Sequence, residues 1–153
     1  MARKTRKAPV LRFSGPPSAD PAALHRALAG AVRADITVGG YLVFAMNPAE
    51  DVLDHATLKR VSILRRGRTA STSGVDDLGE LIDALRVTEV TDFLCMCTGD
   101  FVIEFYDKHD GLIEVVRVDL PSRVESRHWA GAAYLAEPAR LVTWLDAHGL
   151  ESS

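Results

Sequence analysis

The sequence predicts an α+β domain, a largely antiparallel sheet with helices packed mainly on one face, and three observations predict it. Residues 92–98, 101–106 and 112–118 are rich in β-branched and aromatic side chains, and short linkers, Gly99-Asp100 and residues 107–111, join them with turn chemistry. Helix starts at Asp20-Pro21, Ser73 and Pro138 precede segments whose apolar residues recur at helical spacing. Helices fall between groups of antiparallel strands, the order of an α+β fold.

A chain of 153 residues is the size of one domain, and 47% apolar with 25% charged residues separates it from disordered chains. Residues 1–18 read as a flexible basic arm, with Arg3, Lys4, Arg6 and Lys7 at its start and Ser14, Gly15, Pro16 and Pro17 near its end. Residues 19–150 read as the single domain.

Within it, Asp20 caps a first helix whose Leu24, Leu28 and Val32 form one buried stripe. Residues 36–46 read as a strand, closed or bulged at Gly39-Gly40. Asn47-Pro48-Ala49-Glu50 starts a short second helix, finished by His55. Residues 59–65 alternate as a strand and turn at Arg66-Gly67 into residues 68–71. Ser73 caps a third helix with Val75, Leu78, Leu81, Ile82 and Leu85 on one face. The three-stranded meander comes next, then a loop of about eighteen residues, then a last helix carrying Leu141, Val142, Trp144 and Leu145 and stopped by Gly149.

Composition narrows the function classes. The longest apolar runs, such as residues 41–46, are too short to cross a bilayer, and no secretory signal is visible, so no membrane partner is expected. Cys95 and Cys97, the two cysteines, are too few for a disulfide scaffold, and a reducing cytoplasm is the expected location. Phosphate loops, dinucleotide fingerprints, Gly-x-Ser-x-Gly and His-Glu-x-x-His are all absent, which leans away from an enzyme. No cofactor is expected.

Three sets of residues carry possible chemistry. If Gly99-Asp100 is a two-residue turn and a five-residue turn follows Tyr106, Cys95 faces Glu104 and Glu104 faces Glu114. Cys95, Cys97, Glu104 and Glu114, with His128 brought in by the long loop, would then make a metal or acid–base site. A one-residue slip would undo that pairing, since every side chain changes face. Lys59, Arg60, Arg65, Arg66 and Arg68, together with the basic arm, form the second set, suited to nucleic acid or another anionic ligand. A net charge of −3 argues against a global field of that kind. The third set is Trp129, Arg123, Arg127 and Tyr134, aromatic and Arg residues in or beside the long loop, the composition of a protein-binding hot spot.

The run Cys95-Met96-Cys97-Thr98-Gly99-Asp100, continued by Ile103-Glu104-Phe105-Tyr106-Asp107 and ending in Trp144-Leu145 with Gly149, resembles a family. It is similar to small uncharacterised bacterial proteins, mostly actinobacterial, with a Cys-x-Cys-x-Gly-Asp hairpin and a terminal Trp-Leu helix. The resemblance covers approximately the last sixty residues and implies no activity. By fold-level analogy such small proteins block or recruit a partner, as immunity proteins do. The leading expectation is therefore a non-catalytic protein-binding module, immunity-like or regulatory, working through the meander and residues 122–133. Nucleic-acid or anionic-ligand binding through the arm and the 59–68 hairpin stands second, and the Cys95/Glu104/Glu114 site third.

Overall fold

In the computed structural model, residues 18–40, 52–53, 60–61, 68–93 and 99–150 are described. The order of elements is α1 (Ala23–Ala27), β1 (Arg33–Val38), β2 (Val52–Leu53), β3 (Arg60–Val61), β4 (Thr69–Thr72), α2 (Val75–Ala84), β5 (Val87–Val90), β6 (Phe101–Tyr106), β7 (Leu112–Asp119), β8 (Arg123–Glu125), β9 (Ala133–Leu135) and α3 (Pro138–Ala147). Seven strands form one antiparallel sheet in the order β4-β1-β6-β7-β8-β9-β5, and β2 pairs with β3 alone. The α+β class and the antiparallel sheet are as the sequence predicts.

Alternation along the strands separates two faces. Ile36, Phe101, Ile103, Phe105, Val116, Val118 and Val124 belong to a core cluster with Leu24 and Leu28 of the α1 region, Leu78 and Leu81 of α2, and Leu141, Trp144 and Leu145 of α3. Val102 and Val115, one residue out of phase, are equally buried but lie outside that cluster. All three helices thus pack on one face. Among the described residues no helix is long and apolar enough to cross a membrane.

Local expectations fail where a turn or a distant partner intervenes. Asp20 accepts a hydrogen bond from the Ala22 N–H at 3.0 Å, but the N-cap of α1 is Ala22, with no side-chain cap, and the helix ends at Ala27. The chain turns there so that Arg33 can enter β1, which leaves Val32 half exposed instead of in the stripe. In α2 the residue at the N-cap is Gly74, not Ser73, and Val75 is 87% exposed, outside the apolar face assigned to it. The expected second helix does not hold at Val52–Leu53, which pairs as a strand with Arg60–Val61; its remaining residues lie outside the described ones.

The largest correction concerns the meander. The two edges of β6 are taken by β7 and by β1, with Arg33 opposite Tyr106 and Val38 opposite Phe101. The expected partner strand at 92–98 is not one of these neighbours: Asp92 and Phe93 are not in a strand, and residues 94–98 lie outside the described ones. The sequence does predict β6 and β7, but the meander continues onward through β8 and β9, inside the segment expected as loop. β5, unpredicted, closes the sheet against β9. A register shift after Phe105 also sets Glu104 opposite Val115 and Phe105 opposite Glu114, so the expected Glu104–Glu114 pair does not form.

Candidate functional site

The other face of the sheet, free of helices among the described residues, carries charge. Registration places Asp35 opposite Glu104, Arg117 opposite Glu125, Asp119 opposite Arg123, and Arg123 opposite Tyr134. Opposite charges facing across neighbouring strands attract, so the β7–β8 pairs are favourable and Asp35–Glu104 needs other partners. Those partners are present. The Tyr106 hydroxyl donates to Glu104 Oε1 at 2.9 Å, and Ser71 Oγ donates to Asp35 Oδ1 at 2.7 Å. Arg33 lies 3.3 Å from Asp35 and 2.5 Å from Asp110, with its guanidinium 4.1 Å over the Tyr106 ring.

Arg117 is the deepest of these groups. Its side chain is 0% exposed and that of Glu125 is 3% exposed, and Nε and Nη2 donate to the same Glu125 Oε1 at 3.1 and 2.5 Å. Gly99 makes room for the stem of this arginine. A Cβ there would sit 3.0 Å from Arg117 Cγ, and its φ of +80° disfavours any side chain.

Towards the β5 end, the face changes character. Arg123 pairs with Asp119 at 2.6 Å and its guanidinium lies 5.6 Å from the centre of the Phe93 ring. Phe93 is 51% exposed, and Tyr134, across the strand pair from Arg123, is 39% exposed. Gly131 locks this corner. Its α-carbon packs so closely on the Asp92–Phe93 backbone that a Cβ would lie 2.6 Å from Asp92 C, Phe93 N and Phe93 O. The Ala132 N–H donates to the Phe93 carbonyl at 2.9 Å and fixes the same contact.

A second polar cluster centres on Glu114, fully buried beyond the register shift. Ser126 Oγ donates to it at 3.2 Å, Arg127 Nε at 3.1 Å, and His128 Nε2 lies 3.0 Å away. Arg127 also donates through Nη2 to the Ile113 carbonyl at 3.3 Å. This carboxylate organises the turn after β8, and the turn in turn sets Trp129.

The predicted residues are distributed as follows. Arg123 and Tyr134 come together, with Phe93, on the helix-free face. Arg127 is engaged with Glu114. Trp129 is 4% exposed, part of the core, and its Nε1 donates to the Asp20 carbonyl at 2.9 Å, so it is a lid on the core and offers no exposed anchor. Glu114 and His128 do meet, as the long loop was expected to bring them. Glu104, on the opposite face, does not join them, because the register shift turns Glu114 away. Among the described residues no group of three His, Cys, Asp or Glu side chains is placed to hold a metal ion. Cys95, Cys97, Lys59, Arg65 and Arg66 lie outside the described residues, and Arg60 is described only as part of β3. Arg68 donates to the Gly149 carbonyl at 2.9 Å, serving the end of α3. Phe93 belongs to the segment expected as a strand, and the structure places it outside any strand and exposed.

Fold and site together define an α+β protein whose helix-free sheet face carries a buried charge ladder ending in an aromatic corner. Comparison with protein-family models, with curated proteins and with solved structures finds no match for this chain.

Proposed function

We propose that the protein is a non-catalytic protein-binding module, immunity-like or regulatory, acting in the cytoplasm. The observation that carries this reading is the corner formed by Phe93, Arg123 and Tyr134, where two exposed aromatic rings flank an arginine. Isolated exposed apolar residues are ordinary on any protein, but aromatics beside Arg are the residue types that dominate binding hot spots. The partner is a protein whose apolar side chains cover the two rings. Gly131 and the Ala132–Phe93 hydrogen bond hold Phe93 in place beforehand, so little ordering entropy opposes the contact.

Affinity purification from the native host, followed by reconstitution with the retained protein, tests the reading. One stoichiometric partner is expected, with binding weakened at least tenfold by Phe93→Ala together with Tyr134→Ala. A double variant that melts with the wild type and binds equally well would exclude this corner. Isolation of the chain alone under gentle conditions would count against the whole reading.

A further inference from the structure

His148 follows α3 directly and closes a contact between three elements. Its Nδ1 lies 2.7 Å from the Trp144 carbonyl oxygen, and its Nε2 lies 2.8 Å from Asp77 Oδ2. Both neighbours are acceptors: a backbone carbonyl has no proton to give, and neither does an ionised carboxylate. A neutral imidazole carries one N–H, so it can serve only one of these contacts and must oppose lone pairs at the other. The imidazolium, with two N–H groups, serves both.

The surroundings favour that form. The His148 backbone N–H bonds to the Leu145 carbonyl, so the Trp144 carbonyl is one of the groups a helix end leaves for side chains to satisfy. A cation at a helix C-terminus complements the dipole. The imidazole also stacks on the Trp144 ring, with centroids 3.6 Å apart and planes inclined by 14°, where a positive charge is attracted to the π face. Asp77, in the first turn of α2, is itself held. Thr72 Oγ1 of β4 donates to the same Oδ2 at 2.5 Å, and the Trp144 indole N–H donates to the Asp77 backbone carbonyl at 3.1 Å.

We propose that His148, in its doubly protonated form, is a pH-sensitive clasp that ties the C-terminus of α3 to the start of α2 and, through Thr72, to β4. Loss of the proton as pH rises breaks one of its two hydrogen bonds and removes its charge, and the end of α3 loosens.

Other charged groups lie around the clasp. Glu80 of α2 and Arg140 of α3 line the same groove of about 440 Å³, but they pair with each other at 3.0 Å. Arg68, ahead of β4, donates to the Gly149 carbonyl. Asp77 is the anion in contact with the ring. The Thr72 hydrogen bond, with His148 adding to it, holds the Asp77 carboxyl below the usual carboxylate range. Its contribution is therefore present above the usual carboxylate range and lost as pH falls below that range through the lowered pKa of Asp77.

Two measurements test this on the whole chain. Nitrogen-15 NMR of the wild-type imidazole should show both ring nitrogens protonated at about pH 5.5, and one losing its proton by about pH 8.5. Thermal melts of wild type and His148→Gln at the same two pH values should show a larger deficit for the variant in acid. Asp77→Asn, which keeps the shape and removes the charge, should flatten that difference. A neutral tautomer at both pH values, or a His148→Gln deficit that does not change with pH, would overturn the proposal.

Discussion

On β6, Ile103 points into the helix layer and Glu104, one residue on, points to the other side, and both are buried. Their neighbours on β7 repeat the contrast, Val116 with Ile103 and Arg117 on the polar face. The helix-covered face needs only shape and apolarity, so its residues are interchangeable in kind. The polar face needs particular partners, since a buried charge without one is far more costly than a buried methyl group left loosely packed. Two faces of the same strands thus hold together by rules that fail differently, and substitutions can separate them.

The largest effect is expected at Arg117. Arg117→Met leaves the Glu125 carboxylate buried without its guanidinium and should lower unfolding free energy by about 3–5 kcal/mol in urea denaturation. Adding Glu125→Leu removes the carboxylate as well, and the double variant should recover most of the loss. Full additivity of the two substitutions would mean that the pair is not coupled, and the contrast between faces would collapse.

How much of this was legible in the sequence follows from the same contrast. The apolar stripe Leu78, Leu81 and Leu85 gives α2, Leu141, Trp144 and Leu145 give α3, and the β-branched and aromatic runs give β6 and β7, because core packing writes itself as periodicity. β5 has only Val87 and Val90 as apolar residues in an edge strand, too faint a pattern to read. The pairing of β1 with β6 joins residues far apart in the chain, which no turn signals. The charge ladder was hidden for a related reason. One extra residue at the register shift turns Glu114 to the other side, and alternation read from sequence has no way to register it. Trp129 shows the limit for loops: beside Arg127 and His128 it reads equally as a lid on the core or an exposed anchor, and contact with Asp20 decides for the core.

A second, smaller effect is expected at the corner where the polar face meets solvent. Gly131→Ala drives a Cβ to within 2.6 Å of the Asp92–Phe93 backbone, which cannot yield as a flexible side chain would. A loss of about 1–3 kcal/mol is expected, the usual range for overpacking. Because the strain falls on Phe93, partner binding should weaken even at temperatures where the variant is fully folded. Unchanged melting and unchanged binding would show that the corner is looser than its geometry indicates.

The smallest effect belongs to the outer side of the helix layer, where neither rule applies. Gly79 sits within α2, is exposed, and a Cβ built on it meets nothing within 4 Å. It is not one of the glycines with positive φ, so alanine fits its backbone without strain. Alanine also has fewer conformations to lose on folding, and the helix-propensity difference between the two residues is about 1 kcal/mol. Gly79→Ala should therefore raise stability by up to that amount, read as a higher urea midpoint with an unchanged slope. Partner binding should stay as in the wild type, because α2 lies on the face opposite Phe93, Arg123 and Tyr134. A drop in affinity with a gain in stability would instead mean that the helical side takes part in recognition, and the division of labour between the two faces would have to be redrawn.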